Sequence, residues 1–335
     1  MAEETTATRP AGGSTAARMV RLLTYPETVI ALLLPVAILI GAHLSTRFLD
    51  LHFLLDSSSL YMETGIMALA MTFIIISGNI DLSVAANLCL TGVLCAELNT
   101  RYGLPMGLVM VLAPLIGGLL GLFNGLLISL MRLPSLTVTL GTLALYRGLA
   151  QVMVGDKAIT QLPKWFVGID RDARWIAGMP PPLIIFLAMA AACGLILART
   201  THGRRLVAIG TNEAAARFAG IRVSRFKLML FVFSGAFAGV ASMMMLSRLG
   251  SASYKMADGN ELAVITAVVL GGTDILGGRG SIFGTVLALF LLGIVSTGMS
   301  MHDVRADNQL AITGGLLVAA VILFRLLRYF GSRRR

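Results

Sequence analysis

Apolar runs about as long as a bilayer is thick recur along the chain, for instance at 106–130 and 228–247. About 20 such residues cross a hydrocarbon core only as a helix, because lipid offers backbone N–H and C=O groups no partner. Ten segments meet this description, at 27–47, 60–77, 80–97, 106–130, 134–153, 182–198, 228–247, 262–277, 282–299 and 309–325. With 56% hydrophobic residues, 13% charged residues and a mean hydropathy of +0.84, a soluble globular domain is excluded. The expected fold is all-α, a polytopic transmembrane helical bundle of about ten spans. The third and eighth segments differ from the rest. "GNIDLSVAANLCL" and "VLGGTDILGGRGS" set Gly, Asp and Asn where lipid rejects them, which predicts broken or re-entrant pieces buried in protein.

A net charge of +10 raises the question of nucleic acid, but the basic residues sit in short segments between apolar runs, without aromatic interleaving. No nucleic-acid partner is expected. With both termini cytoplasmic, 17 Lys and Arg lie inside, nine lie outside and Arg147 lies within a span, which obeys the positive-inside rule. Residues 1–25 then form a disordered cytoplasmic tail, 26–326 the membrane domain and 327–335 a basic cytoplasmic tail. The first apolar run is of bilayer length with no small-residue cleavage pattern behind it, so it is expected to be a retained helix. The outer loop at 154–181 carries Trp165 and Trp175, either as interface anchors or as a lip for an extracytoplasmic partner. Cys89, Cys95 and Cys193 lie in apolar runs and the four histidines are scattered, so neither a disulfide framework nor metal-ligand spacing is present.

Between the sixth and seventh runs lies "RTTHGRRLVAIGTNEAAARFAGIRVSRFKL", with seven Lys or Arg against the single acid Glu213. Thr211 or Asn212 can cap a helix that Glu213 opens, Ala214, Ala215 and Ala216 propagate and Gly220 ends in the left-handed region. Two turns do not hold as a helix alone in water. The segment must therefore pack on its own spans or dock into another protein. Charge alone fits an ordinary positive-inside loop, but it does not account for the Thr-Asn-Glu-Ala-Ala core. Gly117, Gly121 and Gly125, and likewise Gly235 and Gly239, recur at four-residue spacing and predict faces of close helix contact.

The stretch "GRRLVAIGTNEAAARFAGI" resembles the cytoplasmic coupling loop of permease subunits in bacterial ABC importers of the ribose, xylose and galactose type. "ISGNIDLSVAA", "LPSLTVTLGTLALYRGLA" and "VITAVVLGGTDILGGRGSIFGTVL" match the same family in order, so the resemblance spans about 27–325. The last block is most similar to the branch that serves rhamnose, related sugars and a sugar-like autoinducer. The family pattern has Gly after "DLSV", where this chain has Ala85 and Ala86.

The resemblance implies a bacterial inner-membrane permease subunit that forms the pathway for a simple sugar or sugar-like solute. It implies three partners: an ATP-binding cassette subunit, a periplasmic or extracellular sugar-binding protein, and a second permease copy or paralogous permease. Membrane lipid surrounds the assembly. Contact with the ATPase is assigned to Gly203, Gly210, Asn212, Glu213, Ala214, Ala215 and Gly220. Asn79, Asp81, Ser83, Asn87, Asn124, Thr137, Thr139 and Arg147 are the candidates for the pathway, although such groups also join helix to helix, and Asp81 after Gly78 can close a local turn. No cofactor is expected on this chain, and ATP is used by the partner, since "LGGRGS" lacks the Lys of a GxxxxGK[ST] phosphate loop. A self-contained gradient-driven carrier or channel is the alternative. An intramembrane enzyme would need a constellation of catalytic groups that the spans do not supply.

Overall fold

A computed structural model describes residues 26–45, 48, 50–169 and 178–305, with 308–309, 311–316, 318–319 and 322. The expected tails at 1–25 and 327–335, parts of the tenth segment, and Trp175 lie outside the described residues. Twelve helices are defined among them: α1 Pro26–Leu44, α2 Leu51–Ser58, α3 Met62–Ile76, α4 Val84–Thr100, α5 Met106–Ser129, α6 Ser135–Val154, α7 Pro181–Arg199, α8 Thr201–Thr211, α9 Glu213–Phe218, α10 Val223–Leu249, α11 Asn260–Leu270 and α12 Ile282–Met301. Prolines open α5, α6 and α7, where a missing N–H costs nothing.

The chain is a helical membrane protein, as expected, but ten spans are not what the helix lengths support. Four described helices, α5, α7, α10 and α12, are long and apolar enough to cross, and α2 with α3 makes a fifth if that pair, bent by 59°, is one span. The difference has a physical cause. Gly and Asp cut α4 and α11 short, so that backbone at 77–83 and 271–281 runs outside any helix. The first break is largely buried, as the composition of the third segment predicts, whereas the second is only half-buried, with Leu276 and Arg279 exposed. Gly78, Gly272, Gly277 and Gly278 take positive φ there. Gly278 N–H donates to the Ile76 carbonyl at 2.8 Å, which joins the two breaks. Each break also contains the same device. Asp81 Oδ1 accepts from Ser83 N–H at 3.0 Å, and Asp274 Oδ1 from Leu276 N–H at 3.1 Å.

α3 sits at the centre, almost wholly buried, with α7, α10, α11 and α12 around it. α1 packs on α12, and α6 packs mainly on α4. α5 and α10 form the most extensive pairing, and the two glycine series meet there. A Cβ on Gly117 would run into the Gly235 carbonyl, one on Gly121 into the Phe231 carbonyl, and one on Gly239 into the Ala113 carbonyl. Backbone against backbone is possible only without side chains, and the reward is dispersion along the whole seam. At the far end of the same bundle, Arg248 in the last turn of α10 bonds Glu63 in the first turn of α3 at 2.8 Å, and Glu63 is 2% exposed. Ala85 and Ala86, which follow Asp81-Leu82-Ser83-Val84, are fully buried.

The seam sets a direct test. Gly121→Ala forces a methyl onto backbone that cannot rotate away and is expected to cost at least about 1–3 kcal/mol, the usual range for overpacking. Gly141→Ala, on α6 with open space around it, is expected to hold or raise stability. Thermal melts of the detergent-solubilised protein compare the two.

Candidate functional site

α8 and α9 lie at the bundle end where α7 stops and α10 begins. Thr200 caps α8, its Oγ1 accepting from Gly203 N–H at 3.4 Å. One face of α8, Gly203, Leu206 and Ile209, is buried, while Arg204, Arg205 and Val207 are exposed. Of the residues assigned to ATPase contact, Gly203 and Gly210 face inward. A Cβ on Gly203 would meet the Leu197 carbonyl, and one on Gly210 the Ile76 carbonyl and Gly278 N. They seat α8 on the core.

Asn212 is extended, with φ −158° and ψ 103°, and so ends α8. Its Oδ1 accepts from Ala215 N–H at 3.0 Å and thereby opens α9. Thr211, the other candidate cap, instead donates to the Val207 carbonyl. Six residues make α9, in keeping with the expected helix of about two turns. Gly220 closes it at φ 83°, where Gly220 N–H donates to Arg217 C=O at 3.0 Å and Ile221 N–H to Ala216 C=O at 3.1 Å. Ala216 is buried against Ile209, Val223 and Ile221. Glu213 fixes the unit to its neighbour, its carboxylate accepting from Arg217 at 2.6 Å and from Lys227 of α10 at 2.7 Å. Partial burial pushes the Glu213 carboxyl up, but the hydrogen bonds and charges of Lys227 and Arg217 outweigh it, and the net shift is downward.

The outward face of α9 is small and apolar. Ala214, Ala215 and Ala219 are exposed, and Phe218 is 93% exposed. Phe218 was not among the residues singled out from the sequence. The available signal was its position, three and four residues beyond the two exposed alanines and so on their face. Leu276, in the Gly-rich turn at this end, is 83% exposed.

The candidate pathway residues divide unevenly. Asp81, 3% exposed, accepts from Ser83 Oγ at 2.6 Å and from Ser234 Oγ of α10 at 3.0 Å. Asn124 donates to Ser83 Oγ, Asn87 to the Gly117 carbonyl, Asn79 to Ser77, and Thr139 to the Ser135 carbonyl. Arg147 reaches the Tyr254 and Met256 carbonyls at 2.9 and 2.6 Å, with Asp258 at 3.6 Å. Six of these tie separate stretches of the chain to one another, Thr139 through a further bond to the Ile80 carbonyl at 3.3 Å, while the side chain of Asn79 bonds within its own turn. Thr137 alone of the eight is exposed. It heads a face of α6 that continues through Gly141, Ala144 and Gly148, and neither glycine has another residue's atom within Cβ contact range.

Apolar spans, two interrupted segments joined to each other and a capped helix held at one end define a polytopic membrane protein. The chain belongs to the family described as branched-chain amino acid transport system / permease component, which matches residues 53–321. It is similar to the autoinducer 2 import system permease protein LsrD of Photorhabdus laumondii, 35% identical over 88% of this chain and 90% of that protein. The LsrD proteins of Enterobacter sp. (strain 638) and Klebsiella pneumoniae are each 35% identical, over 88% and 90% of this chain and 91% of each relative. No solved structure matches the chain.

The Glu213 clamp predicts a pH dependence. A carboxyl held below its ordinary 4.5 contributes stability that is present above that value and lost as pH falls through the lower folded value. Hydrogen exchange at the amides of Ala215–Ala219 is therefore expected to stay slow, once corrected for intrinsic rate, from pH 8 to about 5 and to quicken below the folded value. Glu213→Gln is expected to speed exchange throughout and flatten the profile.

Proposed function

We propose that this chain is the membrane-spanning permease subunit of an ATP-driven bacterial importer, carrying a sugar-like solute of the autoinducer 2 type across the inner membrane. One observation carries the reading. α9 is capped at both ends, clamped to α10 and presents Ala214, Ala215 and Phe218 to solvent, which is a preformed knob for another protein's groove. The groove belongs to a separate ATP-binding cassette subunit on the cytoplasmic side, where ATP is bound and hydrolysed. Movement of that groove displaces α9, the Glu213–Lys227 pair passes the displacement to α10, and the glycine seam passes it to α5 as one rigid body. A binding protein delivers solute on the opposite side.

The solute path runs along the open face of α6, between this chain and a second permease. Thr137, Gly141, Ala144 and Gly148 leave room and polarity on a face that lipid would cover poorly. The ionisable groups that a gradient-driven carrier would use, Asp81 and Arg147, are both engaged by fixed internal partners, which supports ATP coupling over that alternative.

Phe218→Asp is expected to lower uptake at least about tenfold, equivalent to about 1.4 kcal/mol of docking, with unchanged protein in the membrane. Co-purification of the ATPase subunit should fall in parallel. Uptake and ATPase retention at the level of the unsubstituted protein would refute the knob. Gly141→Leu, by contrast, is expected to abolish uptake while ATPase retention and thermal stability persist.

A further inference from the structure

Behind α9 lies a second feature that the coupling reading does not use. A groove of about 480 Å³ opens between α8 and the start of α10, lined by His202, Arg205, Arg222 and Arg225, with Phe226 and Met229 on its apolar side. No acid lines it. Glu213, the only acid between 199 and 228, is committed to Arg217 and Lys227, and among the described residues no salt bridge reaches Arg205, Arg222 or Arg225. His202 is held against Phe226, its ring stacked at 6.3 Å.

The helix beneath makes this charge anomalous. α10 is 27 residues long, no side chain caps its N-terminus and no acid lies in its first turn. Arg222 occupies the cap position itself and Arg225 follows within the first turn. Two guanidinium groups thus sit at the positive end of the longest described helix, where an anion is favoured and cations are not. Met229, one turn further along this helix of spanning length, is 64% exposed and apolar, so the cationic groove continues into exposed apolar surface.

We infer that the groove binds the phosphodiester headgroup of one anionic phospholipid, with Arg222 and Arg225 on the phosphate and the acyl chains against Met229. The phosphate would supply the anion that α10 lacks, and the apolar floor favours a lipid over a soluble anion or an acidic protein surface. Ala219 and Gly220 also line the groove, so the bound headgroup braces the end of α9. Membrane composition would then tune how firmly the coupling helix is held. The site depends on membrane insertion of the chain and not on its partner being an ATPase.

Native mass spectrometry of the full chain released from detergent micelles, with dioleoyl phosphatidylglycerol and phosphatidylcholine at equal concentration, tests this. One phosphatidylglycerol is expected to be retained preferentially. Arg222→Gln with Arg225→Gln should reduce the preference by about tenfold or more, at about fivefold per arginine near a membrane surface. Arg132→Gln, which removes a charge elsewhere on this end, should leave it intact, and Arg205→Gln should lower it alone if the double variant is not monodisperse. Equal retention of the two lipids, or an unchanged preference in the double variant, would overturn the site. Displacement of the lipid by an equal concentration of inorganic phosphate would assign the groove to a soluble anion and overturn the lipid. A double variant that keeps the lipid but loses a co-purifying partner would assign it to a protein, with the same result. Failure of ATPase coupling with lipid retention intact would sink the proposed function and leave this site standing.

Discussion

Everything else in this bundle hangs on two backbones being allowed to touch. α5 and α10 meet through Gly117, Gly121, Gly235 and Gly239, and the contacts are carbonyl against α-carbon along several turns. Lipid supplies no hydrophobic drive between helices, so close packing and buried hydrogen bonds must hold the pair. The polar groups gather beside this seam. Asp81 bonds Ser234 on α10, Asn124 on α5 bonds Ser83, and Asn87 bonds the carbonyl of Gly117 itself. The seam brings these partners within reach, and their pairing keeps the interrupted backbone at 77–83 from being an exposed defect.

The same seam makes α10 a stiff element with two distinct ends. At one, Lys227 is held by Glu213 of α9; at the other, Arg248 is held by the buried Glu63 of α3. Both ion pairs lock α10 to a neighbour, but they differ in character. The first is partly exposed and yields to acid. The second is shielded, so that loss of either partner removes a charge-assisted hydrogen bond from a low-dielectric site. The end that carries α9 is therefore the adjustable one.

Much of this was legible from residue spacing. The two glycine series, the breaks in the third and eighth segments, and the Asn212 to Gly220 helix all follow from local rules about close approach, left-handed backbone and capping, and the structure contains each of them. Where spacing was silent, the missing information was orientation. Arg147 reads as a charge within a span, yet only the fold brings the 254–256 carbonyls around it. Polar residues such as Asn87 and Asn124 look alike whether they face a pathway or a neighbour, and here they face neighbours. The count of ten spans goes beyond what the described helices support for a related reason. Hydropathy over a window cannot see that Gly and Asp end a helix early, nor that α2 and α3 bend by 59°.

Arg147 grips the loop after α10 through the carbonyls of Tyr254 and Met256, atoms that every residue possesses. An anchor that recognises main chain is indifferent to which side chains the loop displays. Within 253–257 Met256 and Ala257 are themselves packed into the core, so the freedom this grip leaves belongs to the exposed side chain of Lys255. The course of this loop over the bundle is thus set from below, whatever side chain stands at 255.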